Sequence, residues 1–254
     1  MDDELALRAR SFGQVAELYH RWRPGYPEAL LAQVCALAPG GHVLEAGAGT
    51  GRATSALARR GATLVAVEPD AAMAAIARRS TRGMAVEVRE STFEDCVVPA
   101  GSFDLVVAAQ SWHWVDPDRG PAVAARALRP GGALCLWWNR PRELTGPVWD
   151  AIHRAYAQHA PALDRWAVLH QQPEREQRID PAQGFTPWTI RTYDWSAHHD
   201  AQSYSGLVQT QSDHVRLPAG QRARLVEAIR AAITGTGGQL EYRYRTLLLT
   251  ARVR

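Results

Sequence analysis

The 254-residue chain contains no lysine, so all 29 of its basic side chains are arginines. P-loop nucleotide sites, Schiff-base enzymes and pyridoxal phosphate anchors all require a lysine, and this absence excludes them. The arginines are scattered, and none of them forms the basic run of about five to eight residues that indicates a nucleic-acid patch. Because the net charge is only +3, we expect no nucleic-acid partner.

Cysteines and long apolar runs are also scarce. The three cysteines, Cys35, Cys96 and Cys135, are far apart and lack CxxC spacing, which predicts reduced thiols. No apolar run approaches the roughly 18 residues that a membrane span needs. The first residues, Met-Asp-Asp-Glu, carry the wrong charge for a signal peptide. We therefore expect a cytoplasmic protein with no membrane partner.

Apolar segments alternate with helical ones through the first half of the chain. Strands are predicted at 42–46, 63–68, 84–89, 103–109 and 133–138, and helices at 52–60, 71–80 and 118–128. Strands and helices that alternate at this spacing indicate an α/β fold with a parallel sheet. Because the strands are apolar throughout, helices should cover both faces of the sheet.

The second half is less regular. Helices are predicted at 147–159, 161–170, 201–212 and 219–234, a loop at 171–187, and strands at 190–195 and 240–252. The hypothesis for the whole chain is a Rossmann-like, seven-stranded, mostly parallel sheet. Its last strand, 240–252, would be antiparallel, and the helices from 141 to 187 would form part of a small helical cap.

A glycine-rich loop follows the first strand, in the sequence Glu45-Ala-Gly47-Ala-Gly49-Thr-Gly51. Glycines between a strand and a helix permit a tight turn and let a ligand approach the backbone. The dinucleotide fingerprint G-x-G-x-x-G needs a glycine at position 52, where this chain has Arg52. The spacing therefore argues against a nicotinamide oxidoreductase.

A second acidic residue, Glu68, ends the following strand. A carboxylate in this position can accept hydrogen bonds from both hydroxyls of a ribose, as in other nucleotide sites. A solvated helix cap before Pro69-Asp70 is the structural alternative. The glycine loop 17 residues earlier favours the ribose role.

Several segments, taken together and in order, resemble the class I S-adenosylmethionine-dependent methyltransferases. The matching segments are 43–51, 65–73, 91–95, 102–116 and 127–138. Upstream, the Y-x-x-x-R-P-x-Y-P pattern at 19–27 resembles a small-molecule branch similar to trans-aconitate methyltransferase. The resemblance implies a single domain with a cofactor-binding core at 12–140, a cap insertion at 141–187, and a region at 188–254 that completes the sheet.

The resemblance also assigns roles to individual residues. S-adenosylmethionine would be the cofactor, bound through its methionine end, ribose, adenine and reactive end by Glu45, Gly47, Gly49, Gly51, Glu68, Pro69, Met73, Thr92, Phe93 and Gln110. The acceptor would meet a lid and an aromatic turn formed by Tyr19, Arg23, Tyr26, Trp112 and Trp114. Arg23 is available to a carboxylate, which favours O-methylation of a small organic acid or a hydroxylated metabolite.

His113 is the candidate catalytic base, because it follows the fourth strand at the carboxyl edge of the predicted sheet. A base of this kind serves a hydroxyl or amine acceptor, whereas a carboxylate needs none. Packing between Trp112 and Trp114 is the structural alternative. The one cluster that suggests a metal, His198-His199-Asp200, lacks the spacing of zinc motifs. It is interpreted as a loop and helix cap, and no metal is expected.

Two further functions remain open at this stage. Nucleic-acid methyltransferases that act on base amino groups carry an Asn/Asp-Pro-Pro-aromatic motif after the fourth strand. This chain has Gln110-Ser-Trp-His-Trp there. A protein that binds S-adenosylmethionine without transferring its methyl group, or one that methylates nitrogen or carbon, would carry the same binding motifs.

Overall fold

A computed structural model describes residues 15–142, 144–163 and 184–254 of the chain. The strands are β1 His42–Ala46, β2 Thr63–Val67, β3 Val86–Arg89, β4 Phe103–Ala109, β5 Leu128–Pro141, β6 Thr189–Asp200 and β7 Gln239–Arg252. The α-helices are α1 Ala16–Trp22, α2 Glu28–Ala36, α3 Arg52–Ala58, α4 Ala71–Ser80, α5 Gly120–Ala127, α6 Pro147–His159, α7 Ala201–Val208, α8 Ser212–Val215 and α9 Ala219–Gly235. Within the described ranges, no helix is both long and apolar enough to span a membrane.

The seven strands form one sheet in the order β3-β2-β1-β4-β5-β7-β6. Parallel pairs join β1 to β2 and β4, β2 to β3, and β4 to β5, which places the carboxyl ends of these strands at one edge. Strand β7 runs antiparallel to both β5 and β6. This confirms the predicted Rossmann-like sheet with an antiparallel last strand. The strand order reverses between β1 and β4, where sheets of this class bind ligands.

Helices cover both faces of the sheet, as the apolar strands predict. Along β4, Val106 faces a core cluster shared with α5, whereas its neighbour Leu105 faces a cluster shared with α2 and α3. Both side chains are fully buried. Successive side chains of a strand point to opposite faces, so a strand buried on both sides must be apolar throughout.

A third core cluster brings α6, α7 and α9 together against the amino-terminal end of β7. Helix α6 has the predicted bounds 147–159 and packs closely against α9. Most of the predicted helix at 161–170 and loop at 171–187 lies outside the described residues, which there include only a 3-10 helix at Pro161–Leu163 and residues 184–187. The division into core, cap insertion and carboxyl-terminal region stays a prediction.

Strand β6 is longer than the predicted 190–195, whereas β7 nearly matches the predicted 240–252. Strand β6 reaches Asp200, so His198 and His199 lie on a strand rather than in the predicted loop. Asp200 does cap a helix, as predicted: its carboxylate accepts from the Ser203 amide, and the Ser203 hydroxyl accepts from the Asp200 amide. The predicted helix at 201–212 ends at Val208. The described residues contain no group of three or more potential metal ligands.

Candidate functional site

The glycine loop joins β1 to α3 at the carboxyl edge of the sheet. Gly47, Gly49 and Gly51 have φ angles of +68°, +58° and +82°, a region that side chains disfavour. A Cβ on Gly47 would lie 2.5 Å from Cβ of Ser111, whereas one on Gly49 would meet nothing within 4 Å. The loop therefore needs glycine at Gly47 for close packing, and at Gly49 it presents bare backbone to open space.

Glu45 ends β1 beneath this loop and is fully buried. One carboxylate oxygen, Oε2, accepts a hydrogen bond from the Thr54 hydroxyl at 2.6 Å. The other, Oε1, has no hydrogen-bond partner in the described structure. Burial raises the pKa of Glu45 to about 7, and the nearby charge of Glu68 adds to the rise. A buried carboxylate with a free oxygen is a strong site for a cationic group.

Glu68 lies at the end of β2 and joins the glycine loop to α4. Its Oε2 accepts from the Gly49 amide at 2.8 Å, and its Oε1 accepts from the Asp70 amide at 2.9 Å. Burial raises the pKa of Glu68 to about 7. Each carboxylate oxygen can accept more than one hydrogen bond, so both remain able to bind ribose hydroxyls.

The residues predicted for the ribose and adenine side lie beyond Glu68. Pro69 is exposed, whereas Met73 is buried in the first turn of α4. The half-buried Thr92 starts a turn in which its hydroxyl donates to a carboxylate at 2.8 Å. Phe93 is buried and meets the ring of Trp112 edge-on at a centroid distance of 5.7 Å. Trp112 thus lies in the core cluster behind Phe93.

Gln110 occupies the turn after β4, with a φ of +63°. It is the one non-glycine residue with positive φ in the described ranges. Its amide donates to the Trp137 carbonyl at 2.9 Å, which attaches this turn to β5. A glutamine in this region costs roughly 1–3 kcal/mol, and such strained residues cluster at functional sites.

The segment 19–27, here called the lid segment, forms the opposite wall. Tyr19, Arg23 and Tyr26 all line one cleft with Glu45, the glycine loop and Gln110. The Arg23 guanidinium lies 4.9 Å from the centre of the Tyr19 ring and donates to the Thr210 carbonyl at 2.8 Å. The cleft, together with the open solvent at its mouth, encloses about 450 Å³.

Arg52 also lines the cleft. From the sequence it was noted only as a departure from the dinucleotide fingerprint, so its place in the site was not predicted. Its guanidinium donates to the His20 carbonyl, and its Nε has no hydrogen-bond partner in the described structure. Burial lowers the pKa of Arg52. Its place in the first turn of α3, directly after Gly51, is the signal that would have predicted it.

His113 and Trp114 lie outside this cleft, on a 3-10 turn at Trp112–Trp114. The His113 side chain is exposed, and its ring lies 4.6 Å from that of Trp114. The Trp138 indole donates to Nδ1 of His113 at 3.3 Å. Since Nδ1 accepts, this bond favours the neutral tautomer with its proton on Nε2. The catalytic role of His113 and the substrate roles of Trp112 and Trp114 stay predictions.

The polar groups of the site suit the amino-acid end and the ribose of S-adenosylmethionine. An amino-acid end carries one ammonium and one carboxylate, and the cleft is lined both by Glu45, whose Oε1 has no partner in the described structure, and by Arg52. The ribose needs an acceptor near the loop, and Glu68 lies there, hydrogen-bonded to Gly49. The open side of Gly49 leaves the close approach that this cofactor requires.

Comparison with known proteins gives the same result. The methyltransferase domain family matches residues 44–136. Over 220 residues the chain is 32% identical to an uncharacterized methyltransferase of Mycobacterium tuberculosis, covering 87% of this chain and 84% of that protein.

Two solved structures have a similar fold. A candidate type II methyltransferase from Anaeromyxobacter dehalogenans superposes with a TM-score of 0.66 at 23% identity, covering 91% of this chain and 97% of that one. A Haemonchus contortus N-methyltransferase bound to phosphomonomethylethanolamine and S-adenosylhomocysteine gives 0.55 at 16% identity, covering 94% and 56%. The chain therefore belongs to the class I methyltransferases, and S-adenosylmethionine is its cofactor.

Proposed function

We propose that this protein transfers the methyl group of S-adenosylmethionine to a carboxylate oxygen of a small organic acid. One observation carries the proposal: among the described residues that line the cleft, Arg23 supplies a cation but none is a histidine. A carboxylate is already nucleophilic at neutral pH and needs no general base, whereas a hydroxyl usually does. A guanidinium donates strong, charge-assisted hydrogen bonds to a carboxylate oxygen.

The cofactor supplies an electrophilic methyl group on a sulfonium, and its sulfur keeps the electron pair of the broken S–CH₃ bond. The protein has to orient the acceptor oxygen and exclude water. Arg23 would bind one oxygen of the acceptor carboxylate while the other forms the new O–CH₃ bond. No proton moves in this reaction, so Glu45 and Glu68 are left to hold the cofactor.

The roles of the other site residues are part of the same proposal. Tyr19 and Tyr26 would cover the reacting groups from the lid segment, and Gln110 would face them from the end of β4. The half-buried ring of Tyr26 meets Trp137 edge-on at 5.7 Å, which supports a fixed wall rather than a loose loop. A small acceptor agrees with the limited volume of the cleft.

A panel of small mono-, di- and tricarboxylic acids tests the proposal, with release of S-adenosylhomocysteine as the assay. We expect turnover with at least one acid, and a KM at least tenfold higher in the R23Q variant with little change in kcat. The control is R21Q, because Arg21 is exposed and its guanidinium lies over the Trp22 ring, outside the cleft. Turnover only with phenols, alcohols or amines would contradict the proposal.

A further inference from the structure

A chain of hydrogen bonds crosses the sheet from β6 to the lid segment. The Trp195 indole donates to the Thr246 hydroxyl at 2.7 Å. Thr246 is joined to Oδ1 of Asn139 at 2.7 Å. The side-chain amide of Asn139 donates to the carbonyl of Gly25 at 3.0 Å. Gly25 belongs to the lid segment, between Arg23 and Tyr26.

The direction of this chain is determined by its two ends. The Trp195 indole N–H can only donate, and the Gly25 carbonyl can only accept. Asn139 therefore gives its NH₂ group to Gly25, and its oxygen accepts from the Thr246 hydroxyl, which itself accepts from Trp195. The amide orientation, which distance alone leaves open, follows from the network.

Packing holds the members of the chain in place. Thr246 is fully buried and lies directly opposite Asn139 in the antiparallel β5–β7 pair. The Trp195 ring stacks on Tyr244 at a centroid distance of 4.6 Å. Three strands therefore fix the orientation of one amide at the carboxyl end of β5. The lid segment has further attachments where Arg23 donates to the Thr210 carbonyl and where Arg52 donates to the His20 carbonyl.

We propose that Thr246 is a positioning residue for the lid segment, acting through Asn139 on Gly25. Thr246 is absent from the cleft lining, yet its hydroxyl sets the donor that holds the wall bearing Arg23, Pro24 and Tyr26. Loss of the hydroxyl leaves Asn139 free to rotate and releases Gly25. The cofactor then binds to a cleft with one loose wall and has to order that wall.

Binding of S-adenosylhomocysteine, measured by titration calorimetry without any acceptor, tests this proposal independently of the acceptor class. We expect T246V to weaken binding about tenfold and T246S, which keeps the hydroxyl, to stay within about twofold of wild type. The matched control is T250V, the same change four residues along β7, where Thr250 makes only a 3.9 Å contact with the Cys135 sulfur. T250V should bind normally.

Amide hydrogen exchange in the unliganded protein separates positioning from general destabilisation. T246V should speed exchange at 23–28 and leave α9 unchanged, because α9 contributes no member of the hydrogen-bond chain. If T246V folds poorly, N139A removes both bonds of the Asn139 side chain, keeps the bond between Trp195 and Thr246, and should give the same two changes. The T246V/N139A double variant should bind no more weakly than N139A alone. Unchanged exchange at 23–28, unchanged affinity, additive losses, or T246S as weak as T246V would each overturn the proposal.

Discussion

The amide of Gly49 donates a hydrogen bond to the carboxylate of Glu68 at 2.8 Å, so the glycine loop and the end of β2 form one unit. The two residues are 19 positions apart, on different sides of α3. The same Glu68 also accepts from Asp70 at the start of α4. A single carboxylate therefore holds both the glycine loop and the start of α4, the two segments predicted to face the cofactor.

Replacing Glu68 with glutamine should weaken S-adenosylhomocysteine binding by about 10–100-fold, since hydrogen bonds to a charged group are worth about 1.5–3 kcal/mol. The glutamine NH₂ would also face backbone N–H groups that need an acceptor. Titration calorimetry measures the change, and a thermal melt shows that the variant is folded. Wild-type affinity in a folded E68Q protein would rule out the ribose role.

Alanine at Gly47 should mainly lower the stability of the fold, whereas alanine at Gly49 should mainly prevent cofactor binding. At Gly47 the new Cβ would lie 2.5 Å from Ser111, in addition to the unfavourable φ, so G47A should lower the free energy of unfolding by about 2–4 kcal/mol. At Gly49 only the φ penalty of about 1–2 kcal/mol applies. The new methyl would, however, project into the cleft and abolish cofactor binding. Denaturant unfolding and calorimetry separate the two effects, and a G49A protein that binds the cofactor normally would contradict this assignment.

Cofactor affinity should rise with pH through neutrality. Burial raises the pKa of both Glu45 and Glu68 to about 7, so the unliganded protein holds protons that a cationic ligand displaces. From pH 6 to pH 8, affinity for S-adenosylhomocysteine should increase by about tenfold for each carboxylate that must ionise. The E68Q variant should lose one of these steps. A flat profile would contradict the raised pKa values.

The stability of the unliganded protein should change in the opposite direction. Because the folded-state pKa of Glu45 and Glu68 lies above the unfolded value of 4.5, the folded state binds more protons between those two values. This contribution to stability is fully present below about pH 4.5 and is lost as the pH rises through 7. Denaturant midpoints of E45Q and wild type, compared from pH 5 to 8, measure it. Equal slopes for the two proteins would show that Glu45 is not involved.

His113 distinguishes the two kinds of oxygen acceptor. With a carboxylate acceptor, H113A should keep kcat within about threefold of wild type. With a hydroxyl acceptor that needs a base, kcat should fall by about 10²–10⁴-fold. Cofactor affinity should be unchanged in either case, because His113 is exposed and outside the cleft. Steady-state kinetics with each acceptor gives the result, and a loss of cofactor affinity would show that His113 is structural.

Local chemistry explains why the cofactor half of the site could be predicted from the sequence. Gly47, Gly49 and Gly51 stand at alternate positions of one short loop, and glycine readily adopts the left-handed backbone conformation that they have. Parallel strands bring their carboxyl ends to one edge of the sheet. Once the two strands are recognised, Glu45 and Glu68 are therefore expected at the same edge. The parallel sheet itself follows from the alternation of apolar and helical segments, whereas the order of its strands is seen only in the structure.

The acceptor side depends on contacts that no short pattern contains. Arg23 is held by a carbonyl 187 residues away, and Thr246 is linked to Asn139 across 107 residues. Histidine at the end of β4 suggested a base, but the direction of the 3-10 turn at Trp112–Trp114 places His113 outside the cleft. The sequence by itself determined the sheet, the glycine loop and its two carboxylates, because these follow from backbone preferences and strand direction. The tertiary structure alone decided that the predicted lid lines the cleft whereas His113 lies outside it, because packing between distant strands and helices sets where side chains point.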